Sequence, residues 1–391
     1  MDVLILYKYF IPGNNAGGVV RTLVNMTEMI GDEFNFKIIT GDRDLGDRKP
    51  YKSIRVDAWN RVQKTNVFYC SSDNKGFIAL QNLINNTKHD MLYINSFFDW
   101  HYSIKPLLLL KLRFIRKKPV LLAPRGEFSV GALLLKSRKK KIYIKLAKIL
   151  MLYNNVTFQA SNQYEKTDIV RCIGSKANVL IAPDMVMPPI SSNKISTWGK
   201  NNKERGKLKI FFLSRISPKK NLLTALKILK NISGQIIFDI YGPIEDANYW
   251  ERCQKEIKSL PSHVKVKYAG PVDSDNVKGV MSQYHLFLFP TLGENFGHVI
   301  IEALSVGCPV LISNKTPWQN LEEEGIGWDL PLERIKDHQA IIERCVSMDS
   351  YEHEQYSIRA YNFANRVIND EENLELNRKI LKEIFKQKFD Q

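Results

Sequence analysis

The chain has 391 residues, 44% hydrophobic and 25% charged, with a formal net charge of +16. That mixture excludes disordered and fibrous classes, and the length calls for two domains, each able to bury its own core. Five cysteines (Cys70, Cys172, Cys253, Cys308 and Cys345) are odd in number and widely spaced, with no C-x-x-C pair to suggest zinc or a redox site, and reduced thiols fit a cytosolic compartment.

The opening segment MDVLILYKYF starts with an acid and runs straight into a strand pattern, unlike a signal peptide. The longest apolar runs, such as PLLLLKL, are too short to span a bilayer, so a cytoplasmic chain is expected. DVLILY, FKIIT, MLYIN, PVLLAP, VTFQA and NVLIAP read as buried strands separated by helical patterns at 18–31, 75–87 and 161–173. Strand and helix in alternation predict a parallel sheet covered on both faces. After the first strand, YKYFIPGNNAGGVVRTLV puts Gly17 and Gly18 at the mouth of a helix, where backbone N–H groups can meet an anion. An ordinary tight turn fits the pair equally well, and the absence of G-x-G-x-x-G argues against a dinucleotide site.

Charge is uneven. Residues 101–150 hold fourteen Lys and Arg against one acid, Glu127, so this stretch carries +13. Within it, KSRKKKIYIKLAKIL sets Arg138, Lys141, Lys145 and Lys148 on one helical stripe and Leu135, Ile142, Leu146 and Ile149 on another. Two readings stand: a solvated face over a packed one, or a basic amphipathic helix at 136–148 for an anionic membrane surface or acceptor. The stretch lacks the interleaved stacking aromatics of single-strand nucleic-acid binders.

After NVLIAP the sequence becomes polar, with a double proline, and reads as a linker. The expected division is a first domain over 1–186, a linker over 187–207 and a second domain over 208–368. There the strands LKIFFLS, QIIFDIY, VKVKYAG, HLFLFP and PVLIS alternate with helices near 220–231, 246–259, 274–283 and 298–307. The fold class is thus α/β, two doubly wound parallel-sheet, Rossmann-like domains whose strand ends are expected to face one cleft, where open sheets bind ligands. A last amphipathic helix at about 369–391 needs a packing partner.

Two loops of the second domain carry chemistry. In FFLSRISPKKNLLTALK, Arg215 and Lys220 flank a turn; a forked guanidinium and a point-like ammonium suit a diphosphate, although plain surface charge, as expected for Lys219, fits as well. In HLFLFPTLGENFGHVIIEAL, the N–H groups of Phe296, Gly297, His298 and Val299 would lie at a helix entrance. Glu302 could accept from a ribose diol and Glu294 from a sugar hydroxyl. The local alternative is helix capping, with Asn295 as the cap and the acids offsetting the macrodipole.

SRISPKKN followed by ENFGHVIIEAL, with the early AGGVVRTL, resembles the retaining nucleotide-sugar glycosyltransferases of family four, which have the two-domain GT-B fold. The resemblance implies that Arg215 and Lys220 bind the donor diphosphate, that Glu302 and Glu294 contact ribose and donor sugar, and that the final helix crosses back onto the first domain. By this likeness Arg215, Lys220 and Glu294 are the catalytic candidates. Gly17, Gly18, Asn295, Phe296, Gly297, His298 and Glu302 join them in donor binding. The resemblance departs at APRGEF, where Arg125 stands in place of a family histidine. Arg125 and Glu127 are therefore expected to meet donor sugar or acceptor. No metal or other cofactor is expected, and DRD at 42–44 and DSD at 273–275 read as loop acids. The expected partners are a nucleotide-diphosphate sugar, a glycan or polyprenyl-pyrophosphate-linked acceptor and an anionic membrane at its inner face, not nucleic acid. Rival readings are an epimerase or a phosphorylase on the same fold, and a basic nucleic-acid-binding protein.

Overall fold

The computed structural model describes the chain except for residues 14, 73–75, 135–136, 188–202 and 388–391. Most of the expected linker, Leu135 of the apolar stripe, Lys136, residue 75 of the expected second helix and the end of the last helix lie outside the described residues. The chain divides into two compact units, Met1–Met187 with Glu371–Gln391, and Pro188–Asp370.

Unit 1 is built on an eight-stranded sheet: β1 Asp2–Leu6, β2 Asn35–Gly41, β3 Trp59–Val62, β4 Thr65–Cys70, β5 Met91–Ile94, β6 Val120–Leu122, β7 Val156–Ala160 and β8 Asn178–Ile181. The order is β3-β4-β2-β1-β5-β6-β7-β8. Helices α1 Gly18–Met29, α2 Phe77–Asn86, α3 Lys105–Lys111, α4 Val130–Leu134, α5 Ser137–Ile149 and α6 Gln163–Ile173 connect the strands. Strand residues alternate between two cores: Leu4, Leu6, Leu92 and Leu122 enter one, while Val3, Ile5, Tyr93 and Leu121 enter the other. The second core is completed by Ile380, Leu381 and Ile384 of the C-terminal helix, which supplies the partner that its apolar stripe needs.

The sheet is not wholly parallel as predicted from the alternation. β3 runs antiparallel to β4, with Trp59 opposite Phe68 and Val62 opposite Thr65, through a turn at Gln63 and Lys64. That turn holds Gln63 at φ +52° without the Gly or Asn that marks such turns, so the hairpin left no turn signal in the sequence.

Unit 2 carries an all-parallel six-stranded sheet of β9 Lys207–Leu213, β10 Gln235–Tyr241, β11 Val264–Gly270, β12 Leu286–Phe289, β13 Val310–Ser313 and β14 Gly327–Leu330, in the order β11-β10-β9-β12-β13-β14. Its helices are α7 Leu222–Leu229, α8 Ala247–Lys258, α9 Val277–Met281, α10 His298–Ser305, α11 Ile335–Ser347 and α12 Ser350–Ile368, and α13 Glu371–Lys386 returns to unit 1. From β9 the chain winds outward through β10 and β11, then restarts on the other side of β9 with β12. The carboxyl ends of β9 and β12 therefore flank the point where winding reverses, the place where open sheets leave a crevice.

Candidate active site

Both loops singled out from the sequence of unit 2 emerge at that reversal, and they are laced together. Leu292 N–H donates to the Lys219 carbonyl at 2.9 Å, and the Thr291 hydroxyl reaches the same carbonyl at 3.2 Å. Asn221, left-handed at φ +60°, donates from Nδ2 to the Pro290 carbonyl at 2.8 Å. Lys219, expected as plain surface charge, thus ties one loop to the other through its backbone.

Lys220 Nζ donates to both carboxylate oxygens of Glu294, at 2.7 and 2.9 Å, and Thr291 Oγ1 donates to Oε1 at 2.8 Å. The two side chains are only 13% and 11% exposed. Burial pushes the Glu294 pKa up, but Lys220, Lys219 and the hydrogen bonds outweigh it and leave the carboxyl below its ordinary value. Arg215 donates from Nη1 to Glu245 Oε1 at 2.8 Å, with both side chains about one-third exposed.

At the start of α10, Gly297 adopts φ +84° and serves as N-cap without a side-chain hydrogen bond. Asn295 is therefore not the cap that the local reading assigned, and no acid lies in the first turn of α10. A Cβ on Gly297 would come within 2.9 Å of Ile300, so both backbone angle and space favour glycine. Phe296 is held by Trp318, whose indole N–H donates to its carbonyl at 2.5 Å, and its ring lies 4.8 Å from that of His298. His298 and Glu302 stand one turn apart on one face of the helix, His298 buried and Glu302 half-buried. The first N–H groups of α10 open towards the loop because helix geometry gives them no partner within the helix.

Two site residues escaped the sequence reading. Glu245 follows β10 in YGPIED and comes next to Arg215 only through the parallel pairing of β9 with β10. In the same loop, Gly242 at φ +125° approaches the Arg215 strand so closely that a Cβ would meet the Ser214 carbonyl oxygen at 2.0 Å. Glycine next to proline is a turn signal, but nothing in the sequence says which strand end lies beside it.

Gly17, Gly18, Arg125 and Glu127 belong to unit 1. Gly17 is the N-cap of α1 at φ 81°, ψ −145°, a backbone region that only glycine holds comfortably, and open space surrounds the position of its absent Cβ. Arg125 and Glu127, expected to meet donor or acceptor, have their charges paired within unit 1. The Arg125 guanidinium is buried and donates to Asn95 Oδ1 at 3.0 and 2.8 Å, Asp184 Oδ1 at 2.5 Å and Tyr93 Oη at 2.6 Å. Glu127 accepts from Ser96 Oγ at 2.9 Å and from the N–H groups of Phe97 and Phe98 at 2.5 and 3.1 Å. Burial pushes its pKa up, tempered by those bonds. The physical reason is satisfaction: a buried charge is expensive unless paired, and these partners occupy both side chains in holding the strand-end loops of unit 1.

Asp42 of the DRD segment takes the Arg43 guanidinium at 2.8 and 3.0 Å, and Asp44 accepts from Asn15 and Leu45 N–H groups. The DSD segment lies at a short 3₁₀ turn, Ser274–Asn276. Among the described residues, no group of three or more His, Cys, Asp or Glu could hold a metal ion, and no helix is long and apolar enough to cross a membrane.

Residues 195–360 match the model of the family described as glycosyl transferases group 1. The chain is similar to an uncharacterized 41.2 kDa protein in the cps region of Klebsiella pneumoniae, 23% identical over 79% of this chain and 81% of that protein. It is also similar to 2-deoxystreptamine N-acetyl-D-glucosaminyltransferase of Niallia circulans, 27% identical over 44% of this chain and 41% of that enzyme. Among solved structures, HepE of Anabaena in complex with UDP and glucose superposes with a TM-score of 0.69 at 17% identity, covering 98% of this chain and 99% of that one. The pair of doubly wound units is thus the GT-B architecture, and the chain, which carries a group 1 glycosyl transferase domain over residues 195–360, is a glycosyltransferase.

Proposed function

We propose that the enzyme moves a sugar from a nucleotide-diphosphate sugar to a glycan or lipid-linked acceptor, with retention of configuration and without a metal, in the assembly of a cell-surface polysaccharide. The observation that carries the reading is the laced pair of loops at the β9/β12 reversal, which joins Lys220 to Glu294, with Arg215 on the first of these loops. Lys220 has three N–H groups. While directed at Glu294, it keeps a hydrogen for a phosphate oxygen, and Arg215 grips the diphosphate from the other side of the turn. Glu302 accepts from the ribose diol, Glu294 from a donor-sugar hydroxyl. Phe296, Gly297 and His298 present the amides of the α10 entrance to the phosphate, with Asn295 in the same loop.

In the transfer, the bond from the anomeric carbon to the phosphate oxygen breaks and the diphosphate keeps its electron pair. The acceptor oxygen bonds to the same face of that carbon, and its proton passes to a leaving phosphate oxygen. Fixed cations and helix-end amides stabilise the charge that develops. Arg215, Lys220 and Glu294 are the catalytic residues of this scheme.

The transferred group is a hexosyl or N-acetylhexosaminyl unit, a choice supported by the N-acetylglucosaminyl transfer named for the Niallia enzyme. HepE was crystallised with UDP, and the cps region of the Klebsiella relative suits a polysaccharide setting. The polyprenyl-pyrophosphate form of the acceptor fits the exposed cations Arg138, Lys141, Lys145 and Lys148 of α5, which favour an anionic membrane at its cytoplasmic face.

The test is a thermal-shift panel of UDP, GDP, ADP, CMP and their sugars with EDTA present. A ligand at about 100 times its dissociation constant adds roughly 2.7 kcal/mol to the native state. A response to one diphosphate, followed by its release from the sugar nucleotide only when an acceptor is supplied, supports transfer. Release that needs inorganic phosphate would instead indicate a phosphorylase, and conversion without release an epimerase.

A further inference from the structure

The amino ends of the inner strands β6 and β7 lie at the end of the unit 1 sheet opposite to the strand-end loops that hold Arg125 and Glu127. A cavity of about 610 Å³ opens there, walled by the segments that leave α3 and α5. Among the described residues that line it, five are cations, Lys111, Arg113, Arg116, Lys117 and Lys118, and none is a carboxylate. Its floor is apolar, made by Leu107, Ile115, Val120, Leu152 and Val156. A volume of this size suits a small molecule or headgroup rather than a bare ion.

The rim adds a second, independent observation. In the segment that leaves α3, Leu112 and Phe114 are 57% and 49% exposed, and at the end of α5, Ile149, Leu150 and Met151 are 66%, 54% and 58% exposed. Along α5, Ile142 and Leu146 continue that apolar surface at 60% and 52% exposure. Large apolar side chains this exposed, interleaved with lysine and arginine, form an interfacial surface rather than an unfinished core.

Both walls end alike. Phe114 N–H bonds to the Leu109 carbonyl and Arg113 N–H to that of Leu110; Leu152 N–H bonds to Ala147 and Met151 N–H to Lys148. Each helix thus closes in a Schellman turn, with Arg113 at φ +60° and Met151 at φ +49° where glycine is usual. The turns satisfy the terminal carbonyls with backbone partners, so capping does not account for the cations that follow α3.

We propose that this cavity binds the phosphate headgroup of an anionic lipid while Leu112, Phe114, Leu150 and Met151 enter the acyl boundary. The occupant is a lipid rather than a free anion because the cations alternate along the chain with exposed apolar side chains, which a soluble phosphate would leave in water. The site extends the membrane reading of α5 and does not rest on the transfer reaction.

The experiment is sedimentation of the full chain with vesicles of phosphatidylcholine containing a minority of phosphatidylglycerol. Each charge near an anionic surface contributes on the order of fivefold in partition. Arg113→Gln/Arg116→Gln/Lys117→Gln should therefore bind roughly a hundredfold more weakly, with unchanged far-ultraviolet circular dichroism. Arg116→Gln/Lys117→Gln, which spares the left-handed residue, should lose roughly 25-fold. A control in unit 2, Lys255→Gln/Lys258→Gln/Lys265→Gln, should keep most of its binding. Wild-type binding by both cavity variants would overturn the proposal, as would equal losses in the control, which would mean net charge alone. If Arg138→Gln/Lys141→Gln/Lys145→Gln/Lys148→Gln abolished binding while the cavity variants kept it, α5 would be the membrane contact and the cavity would not. Stabilisation by inorganic phosphate without vesicle binding would also overturn the lipid assignment.

Discussion

Replacing Lys220 by Met separates a built ion pair from a chance surface contact. Lys220 and Glu294 are both nearly buried and joined at 2.7 and 2.9 Å, so removing the ammonium strands a carboxylate in a desolvated loop. Breaking a buried pair in this way costs about 3–5 kcal/mol. For a unit of this size each kcal/mol shifts the midpoint by about 2–4 °C, so Lys220→Met should lower it by roughly 6–20 °C at neutral pH. The pH dependence supplies a sharper check. In the native enzyme the Glu294 pKa lies below its unfolded value, so the pair's contribution is present above that unfolded value and is lost as pH falls through the folded one. Without Lys220, burial dominates and raises the folded pKa. The deficit of the variant is then small in acid and grows as pH rises through the folded pKa. Lys220→Met/Glu294→Gln removes the stranded charge and should recover most of the lost stability at neutral pH. Calorimetric melts of both variants between pH 4 and pH 8 measure this directly. A single variant that melts like the native enzyme at neutral pH, or a double variant no better than the single, would refute the reasoning.

Glu302→Ala should weaken nucleoside diphosphate binding by about 1.5–3 kcal/mol without lowering the melting temperature, and unchanged affinity in titration calorimetry would remove its ribose role. Arg125→Met should destabilise unit 1 by about 3–5 kcal/mol, because Asp184 loses its buried guanidinium; Asp184→Asn in the same chain should restore part of it, as denaturant melts can show. His285, buried beside His353 and accepting the Lys209 N–H at 3.0 Å, has its pKa pushed down to about 3. Burial keeps the ring neutral, so its contribution is complete above an ordinary histidine pKa and declines by roughly 4 kcal/mol as pH falls from about 6.5 to about 3; His285→Asn should flatten that part of the acid-melting curve. Met151→Gly should stabilise unit 1 by about 0.5–1 kcal/mol, since relief of the left-handed strain exceeds the added chain entropy, and a lower midpoint would contradict it.

Much of the architecture was legible along the chain. Buried parallel strands read as unbroken apolar runs, as in DVLIL and LFLF, and the two candidate-site loops of unit 2 follow strands in sequence as they do in space. The pairing of Lys220 with Glu294 could be anticipated as chemistry but not as contact, because the β9/β12 adjacency that makes it joins residues 74 apart. β3 and β4 stayed hidden because their turn uses Gln63 and Lys64.

Helix periodicity resolved the two stripes of α5 and could not say which one met the core. The structure buries a third, with Ala147 inside and Tyr143 and Ile144 packed against the core, and leaves Ile142, Leu146 and Ile149 outside. Arg125 and Glu127 show the same limit. Composition supplies a charge, but whether it faces a ligand or a partner depends on Tyr93, Asn95, Asp184 and Ser96, brought there by strand order. Hydrophobic spacing is a local property that one strand or helix expresses by itself, so the sequence determined the elements and their class. Solvation is a property of neighbours, so the tertiary structure alone decided which charges are spent in holding the fold and which remain at the site.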